Sequence, residues 1–312
     1  MPLKLHYWCK SFRTNKFIYA CQMKNIEFLG LKTITRAASL VLLSSILICS
    51  PNTITVASAA NPTIAQLTIP SAIDSATDIA VSSDGTKLVL ITGTPTGNPK
   101  NVIYTSSDSG ANWATSYTPS NTAGATPSYV GLSNNGQIIV VTTYTSGILY
   151  ISSNGGTSWT TKDVRNIGNC GNSPTTINST PSSEVTGFAM SSDGSIIAFP
   201  CARTTTLLLS TNSGSTFSAV TMPTTINTEG AVHISKAANA IWVAKSDTGG
   251  LWKYTIGGSW SSNYSGTVSY PRSVTGSEDG TIVYSARGEL QGNGTYTIYK
   301  STDSGATFSA IS

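Results

Sequence analysis

The sequence predicts an all-β fold, a β-propeller of four-stranded blades with five blades visible. Three observations predict it. An eight-residue turn ending in an aromatic residue recurs along the chain, its aromatic returning every 43 to 58 residues. A second turn, a tight hairpin of the Asp-Gly or Asn-Gly kind, precedes most copies. No stretch after residue 60 shows the apolar period of a helix. A repeat of this length marks an array of small sheets, because one such unit cannot bury its apolar face alone.

The boxed turn reads SSDSGANW over Ser106–Trp113, SSNGGTSW over Ser152–Trp159, STNSGSTF over Ser210–Phe217 and STDSGATF over Ser301–Phe308. Its candidate structural residues are Asp108, Gly110 and Trp113, then Asn154, Gly156 and Trp159, then Asn212, Gly214 and Phe217, then Asp303, Gly305 and Phe308. An Asp or Asn oxygen accepts backbone N–H groups of its own turn. Gly supplies the left-handed corner. The aromatic is expected to pack between neighbouring sheets.

Each unit opens with an apolar strand, a hairpin turn and a second apolar strand. Examples are Ile79–Val81, Ser82–Gly85 and Leu88–Ile91, and Phe188–Met190, Ser191–Gly194 and Ile196–Phe199. Asn135-Gly136 and Asp279-Gly280 mark the same hairpin in two further units. A third strand follows (Val102–Tyr104, Ile148–Ile151, Leu207–Leu209, Thr297–Tyr299), runs into the boxed turn, and leads to a more polar fourth strand. Four strands per unit, repeated about a centre, make a propeller blade. The fourth unit is degenerate: its box has shrunk to Gly257–Trp260, with Thr255 where the acid belongs. Gln66–Pro70 resembles the fourth-strand segment Ala219–Pro223, so Thr63–Pro70 is expected to clasp the last blade, in competition with Ser309–Ser312. A closed five-bladed ring and a section of a larger array both fit.

Composition separates residues 1–60 from residues 61–312. Seven of the eighteen Lys and Arg lie in the leader against one acid, which leaves the rest with eleven bases, thirteen acids and a net charge of about −2. The body therefore lacks the basic surface that nucleic acid demands. Lys32 and Arg36 precede a twelve-residue apolar run, Ala37–Ile48, and Ala57-Ser58-Ala59 offers a small-x-small cleavage site. Spanning a bilayer takes ~20 residues, so the run reads as a signal peptide, with Met23 as the expected true start. An uncleaved anchor and a lipoprotein at Cys49 are weaker readings. The expected location is secreted or cell-surface, with membrane contact only through the leader during export.

Two cysteines then remain, Cys170 and Cys201. An even pair in an exported chain favours a disulfide. Without a nearby His they make a poor zinc site. No cofactor or metal is expected. His233 is expected at a surface or satisfied position.

The motif Ser-x-Asp-x-Gly-x-x-Trp/Phe resembles the Asp-box of the bacterial neuraminidase (BNR) repeat over about 250 residues. Asp-box propellers include sialidases, xyloglucanases, the sortilin ectodomain and photosystem II assembly factors. The resemblance implies that the boxes are scaffold on a rim away from the binding face. A sialidase-like site implies an arginine triad, a Tyr–Glu pair and an acidic Asp. Its Arg-Ile-Pro motif is absent, and Arg165, Arg203, Arg272 and Arg287 have no common placement. A glycoside hydrolase needs two carboxylates facing each other across a cleft; Asp163 and Glu289 are the nominees, but their spacing does not select them. The expected function is thus an exported, non-enzymatic binding scaffold for an extracellular glycan or protein. The alternatives are a sialidase-superfamily glycoside hydrolase and a scaffold like the photosystem II assembly factors. The aromatics near the fourth unit, among them Trp242, Trp252 and Trp260, are read as inter-blade packing, with sugar stacking as the alternative.

Overall fold

Short runs of Val, Ile, Leu and Tyr, each stopped by Gly, Asn, Asp or Ser, dictate short strands with tight reversals. The computed structural model describes residues 48–50, 53–55, 76–93, 101–119, 126–143, 147–168, 170, 187–201, 204–226, 230–245, 250–263, 271–287 and 297–311. In the leader, β1 (Ile48–Ser50) pairs with β2 (Thr53–Thr55). The rest of the expected export segment and Thr63–Pro70 lie outside the described residues. No helix among the described residues is long and apolar enough to cross a membrane.

Five four-stranded antiparallel sheets follow, each a meander in chain order. The first blade holds β3 (Ala76–Val81), β4 (Leu88–Thr92), β5 (Val102–Ser106) and β6 (Ala114–Tyr117). The second holds β7 (Pro127–Leu132), β8 (Ile139–Thr143), β9 (Ile148–Ser152) and β10 (Thr160–Asp163). The third holds β11 (Ala189–Met190), β12 (Ile197–Pro200), β13 (Thr204–Ser210) and β14 (Ser218–Ile226). The fourth holds β15 (Gly230–Ser235), β16 (Ala240–Lys245), β17 (Gly250–Thr255) and β18 (Trp260–Asn263). The fifth holds β19 (Pro271–Gly276), β20 (Val283–Arg287), β21 (Thr297–Ser301) and β22 (Ser309–Ile311). The degenerate unit is thus a complete blade. The fourth-strand place beside β21 is held by β22, with Ile298 opposite Ile311.

The core lies between consecutive sheets. In β8, Ile139 and Val141 pack back on Val89, Ile91 and Ile103 of the first blade, while Val140 packs forward on Ile197 and Phe199 of the third. Both faces of each inner sheet are buried. That is why the second strands read as unbroken apolar runs instead of the alternation of a half-solvated sheet. Each fully buried Ile or Leu contributes about 1.5–3 kcal/mol.

Inner strands approach closely where one residue is small. A Cβ built on Gly131 of β7 would stand 2.6 Å from Cε1 of Phe188 in the third blade. Gly131→Ala is expected to cost about 1–3 kcal/mol by overpacking. Phe188→Leu in the same chain should recover part of that loss in urea melts. Additive losses would show that the two blades do not meet there.

Candidate functional site

Both turn families gather at one end of the array, and both use the same device. In the first box, the Ser106 hydroxyl donates to Asp108 Oδ1 at 2.8 Å and accepts the Gly110 N–H at 2.9 Å. Asp108 Oδ1 also accepts the Asn112 N–H at 2.8 Å. The pattern repeats at Ser152, Asn154 and Gly156, at Ser210, Asn212 and Gly214, and at Ser301, Asp303 and Gly305. The hairpins copy it: Ser82 donates to Asp84 at 2.6 Å and accepts the Lys87 N–H at 3.0 Å. Sequence reasoning assigned roles to the acid, the glycine and the aromatic. It missed the leading serine, which is buried in each of the four boxes and links the acid to the glycine. Its recurrence at the first position was the available signal.

Each box rests on the hairpin turn of its own blade, as in Ser109 N–H to Thr86 O at 2.8 Å. The hairpin turns touch across blades. Ser83 N–H donates to Asn134 O at 3.0 Å, Lys236 pairs with Asp193, and Ser192 Oγ donates to Glu278 Oε1 at 3.1 Å. These contacts draw the third, fourth and fifth turns together.

The box aromatics reach the preceding blade. Trp159 Nε1 donates to Ser116 Oγ of the first blade at 3.0 Å, and its ring lies 5.7 Å from Tyr117. Phe217 meets the cluster of the second and third blades, and Phe308 packs with Trp242, Ala244 and Leu251 of the fourth. Trp113 packs with Leu90 and Tyr104 of its own blade. Trp242 is fully buried beneath the fifth box and offers no face for sugar stacking, and the half-buried Trp260 packs on Tyr254 at 5.0 Å. Cys170 and Cys201 form a disulfide with Cα atoms 5.2 Å apart. It ties the segment after β10 to the end of β12.

Asp108 and Asp303 are held at about 2, the first chiefly by the Asn112 N–H, the second chiefly by the Thr307 hydroxyl. Asp84 is likewise held at about 2, chiefly by Ser82. Burial pulls Asp193 upward, but bonds from Lys236, Ser191 and Ser195 outweigh it and hold the group low. A folded pKa below the unfolded value stabilises above about pH 4 and is lost as pH falls toward 2. Acid melts are expected to show stability falling in that window. Asp108→Asn with Asp303→Asn should flatten the fall, since Asn154 and Asn212 already close the same turn without titrating. An unchanged acid profile would contradict this.

The opposite end carries the loops between second and third strands, most of them outside the described residues. There Asp78 lies near the start of β3, the first strand of the first blade. Its carboxylate accepts Val130 N–H at 3.0 Å and Ile79 N–H at 2.9 Å, and burial raises its pKa despite both bonds. It is the one raised carboxylate among the described residues. Asp163 lies on the outermost strand of the next blade, paired with Arg165, so the two do not face each other across a cleft. Glu289, the other nominee, lies outside the described residues, as do Arg203 and the side chain of Arg287. Glu278 sits in a hairpin turn at the boxed end. His233 is half-buried on β15, its Nε2 3.1 Å from Ser235 Oγ, and burial lowers its pKa. A groove of about 380 Å³ opens between the first two boxes, bordered by Lys87, Asp108, Asn112, Trp113 and Asn154. No group of three or more His, Cys, Asp or Glu suited to a metal occurs among the described residues.

No protein-family model matches the chain, and no curated protein matches it in sequence. Solved structures do. A GH74 xyloglucanase from Xanthomonas campestris superposes with a TM-score of 0.57 at 14% identity, covering 76% of this chain and 38% of that one. Virginiamycin B lyase from Staphylococcus aureus gives 0.52 at 17% identity, covering 76% and 69%. A GH74 enzyme from Niastella koreensis gives 0.50 at 24% identity, covering 76% and 31%. The chain spans about a third of the GH74 chains it matches. These likenesses show the fold: the protein is a β-propeller.

Proposed function

We propose that the protein is an exported, non-enzymatic propeller that binds a protein or a glycan at the cell surface or outside the cell. In this reading residues 1–60 are the leader and signal peptide, with Met23 as the true start, and the repeated turns are Asp-boxes of the BNR kind. The boxed end is scaffold and the loop end binds. One observation supports the non-enzymatic reading. The raised carboxylate at the loop end, Asp78, is already held by two backbone N–H groups. The other described aspartates at the turns spend their oxygens on their own chain reversals. A binding partner at the loop end suits the general rule that long loops on a rigid scaffold carry recognition.

A glycoside hydrolase is the second reading, favoured by the raised pKa of Asp78, which suits a general acid. Glycan-array binding beside hydrolysis of a fluorogenic sialoside and of xyloglucan separates the two. The scaffold reading expects saturable binding to a glycan or a protein and no turnover. Turnover abolished by Asp78→Asn, with thermal stability kept, would overturn it.

A further inference from the structure

Three residues at the joint between the first and second blades break the repeat, and all three line one groove. Lys87 stands where the other blades carry Ile138, Ile196, Ala240 and Ile282. One bond fixes the equivalence: the N–H of Lys87, Ile138, Ile196 or Ile282 donates to the first serine of its own hairpin turn. Thr105 stands where the other third strands carry Ile151, Leu209, Lys253 and Lys300, each opposite the equivalent residue of its second strand. Gly155 stands where the other boxes carry Ser109, Ser213 and Ser304.

The other joints fill this space. Beneath the third box, Ile151 Cδ1 lies 2.5 Å from a Cβ built on Gly214. At the fifth box, Lys253 Nζ donates to Ser304 O at 3.2 Å. Beneath the second box the short Thr105 offers one methyl, 3.1 Å from a Cβ built on Gly156, and ends there. The groove of about 380 Å³ is what remains, a size suited to a small ligand, since such pockets run ~300–1,000 Å³.

Lys87 puts a charge into it. Its stem packs on Gly136 of the next hairpin turn, as Ile138 packs on Gly194. Its ammonium lies 3.9 Å from a Cβ built on Gly155 and donates to Asn135 O alone, at 3.5 Å. The exposed side chains of Asp108, Asn112 and Asn154 line the same groove. Asp108 is ionised at neutral pH, and its Oδ2 accepts only Asn112 Nδ2, at 2.7 Å. It makes no ion pair with Lys87 among the described residues. Buried Val89 and Ile139 add apolar surface to the lining.

A lysine and a carboxylate that share a groove without pairing select against a ligand of either charge. An anion meets Asp108, and a cation meets Lys87. A neutral polyol suits both, because one hydroxyl donates to the carboxylate while its neighbour accepts from the ammonium. We propose that this groove binds one pyranose ring of a neutral saccharide. Lys87 and Asp108 hold adjacent ring hydroxyls, the amides of Asn112 and Asn154 bond to others, and a C–H face of the ring rests on Val89 and Ile139. The site lies at the boxed end, so it is separate from the loop-end partner site and does not depend on it.

Saturation-transfer NMR titrations of the full chain with the methyl glycosides of glucose, galactose, mannose and xylose test this. At least one is expected to bind with a Kd of about 1–10 mM. Thr105→Ile fills the groove and Lys87→Ile removes its charge. Each installs a residue that another blade carries at the same position, so thermal melts should show the fold kept. Each should weaken binding by about tenfold or more. Asn112→Ala, at an exposed position, should weaken it as well and leaves the groove floor untouched. Binding of a protein or longer glycan at the loop end should be the same in all three variants. Absence of glycoside binding up to about 100 mM overturns the proposal. So does binding that all three variants retain, which would put the sugar elsewhere on the molecule. Binding of glycine but of no glycoside, lost on Lys87→Ile, would make the groove an amino-acid site and overturn it too.

Discussion

Gly305→Ala is expected to destabilise the protein by about 2–5 kcal/mol, the sum of overpacking and of forcing a side chain into left-handed backbone. Gly305 has φ 82°, and a Cβ there would lie 2.0 Å from Cη2 of the fully buried Trp242. Gly257 supplies the control. Its φ is 75° and nothing lies within 4 Å of a Cβ, so Gly257→Ala carries the backbone cost alone, about 1–2 kcal/mol. Trp242→Leu in the Gly305→Ala chain should return part of the steric loss, although it also removes buried area. Chemical melts read all four chains. Equal losses at Gly257 and Gly305 would mean that the fifth box does not press on the fourth blade.

Replacing both Cys170 and Cys201 by Ala should lower stability by about 3.5–4 kcal/mol, because the bridge closes a loop of sequence separation 31. The two half-cystines are buried beside Val140, Leu149, Phe199 and Leu208, between the second and third blades. The bridge therefore restrains the unfolded chain and fastens the connection between those blades. The denaturation midpoint of the wild type should fall to that of the variant when reductant is added to the unfolded chain. Identical midpoints for both proteins under oxidising conditions would show that the bridge does not form.

Much of this architecture is legible in the sequence because its signals are local. An Asp-Gly or Asn-Gly hairpin and a boxed turn each fold on bonds between residues at most five apart, so four strands per unit can be read from either. The fourth unit shows the limit. Thr255 and Gly257–Trp260 lack the acid, yet the turn closes through Gly258 N–H to Thr255 O at 2.8 Å and Thr255 N–H to Ser259 O at 3.1 Å. Non-local facts are not legible. The sequence reads Trp242 as inter-blade packing, but that the fifth box is what covers it appears only in the structure. Asp78 is an unremarked acid near a strand start until burial and the Val130 N–H set its chemistry. The extended β14 arises from a register shift between Thr204 and Thr206, which no composition announces.

Amide hydrogen exchange of the box glycines tests the central claim most directly. Gly156, Gly214 and Gly305 donate to a buried serine hydroxyl and are seated on the preceding blade. They are expected to exchange as slowly as the amides of β8, β12 and β20, by opening of the whole array. Exchange of those glycines at the rate of free peptide, with the three strands still protected, would mean that the boxed turns decorate the sheets and do not lock them together.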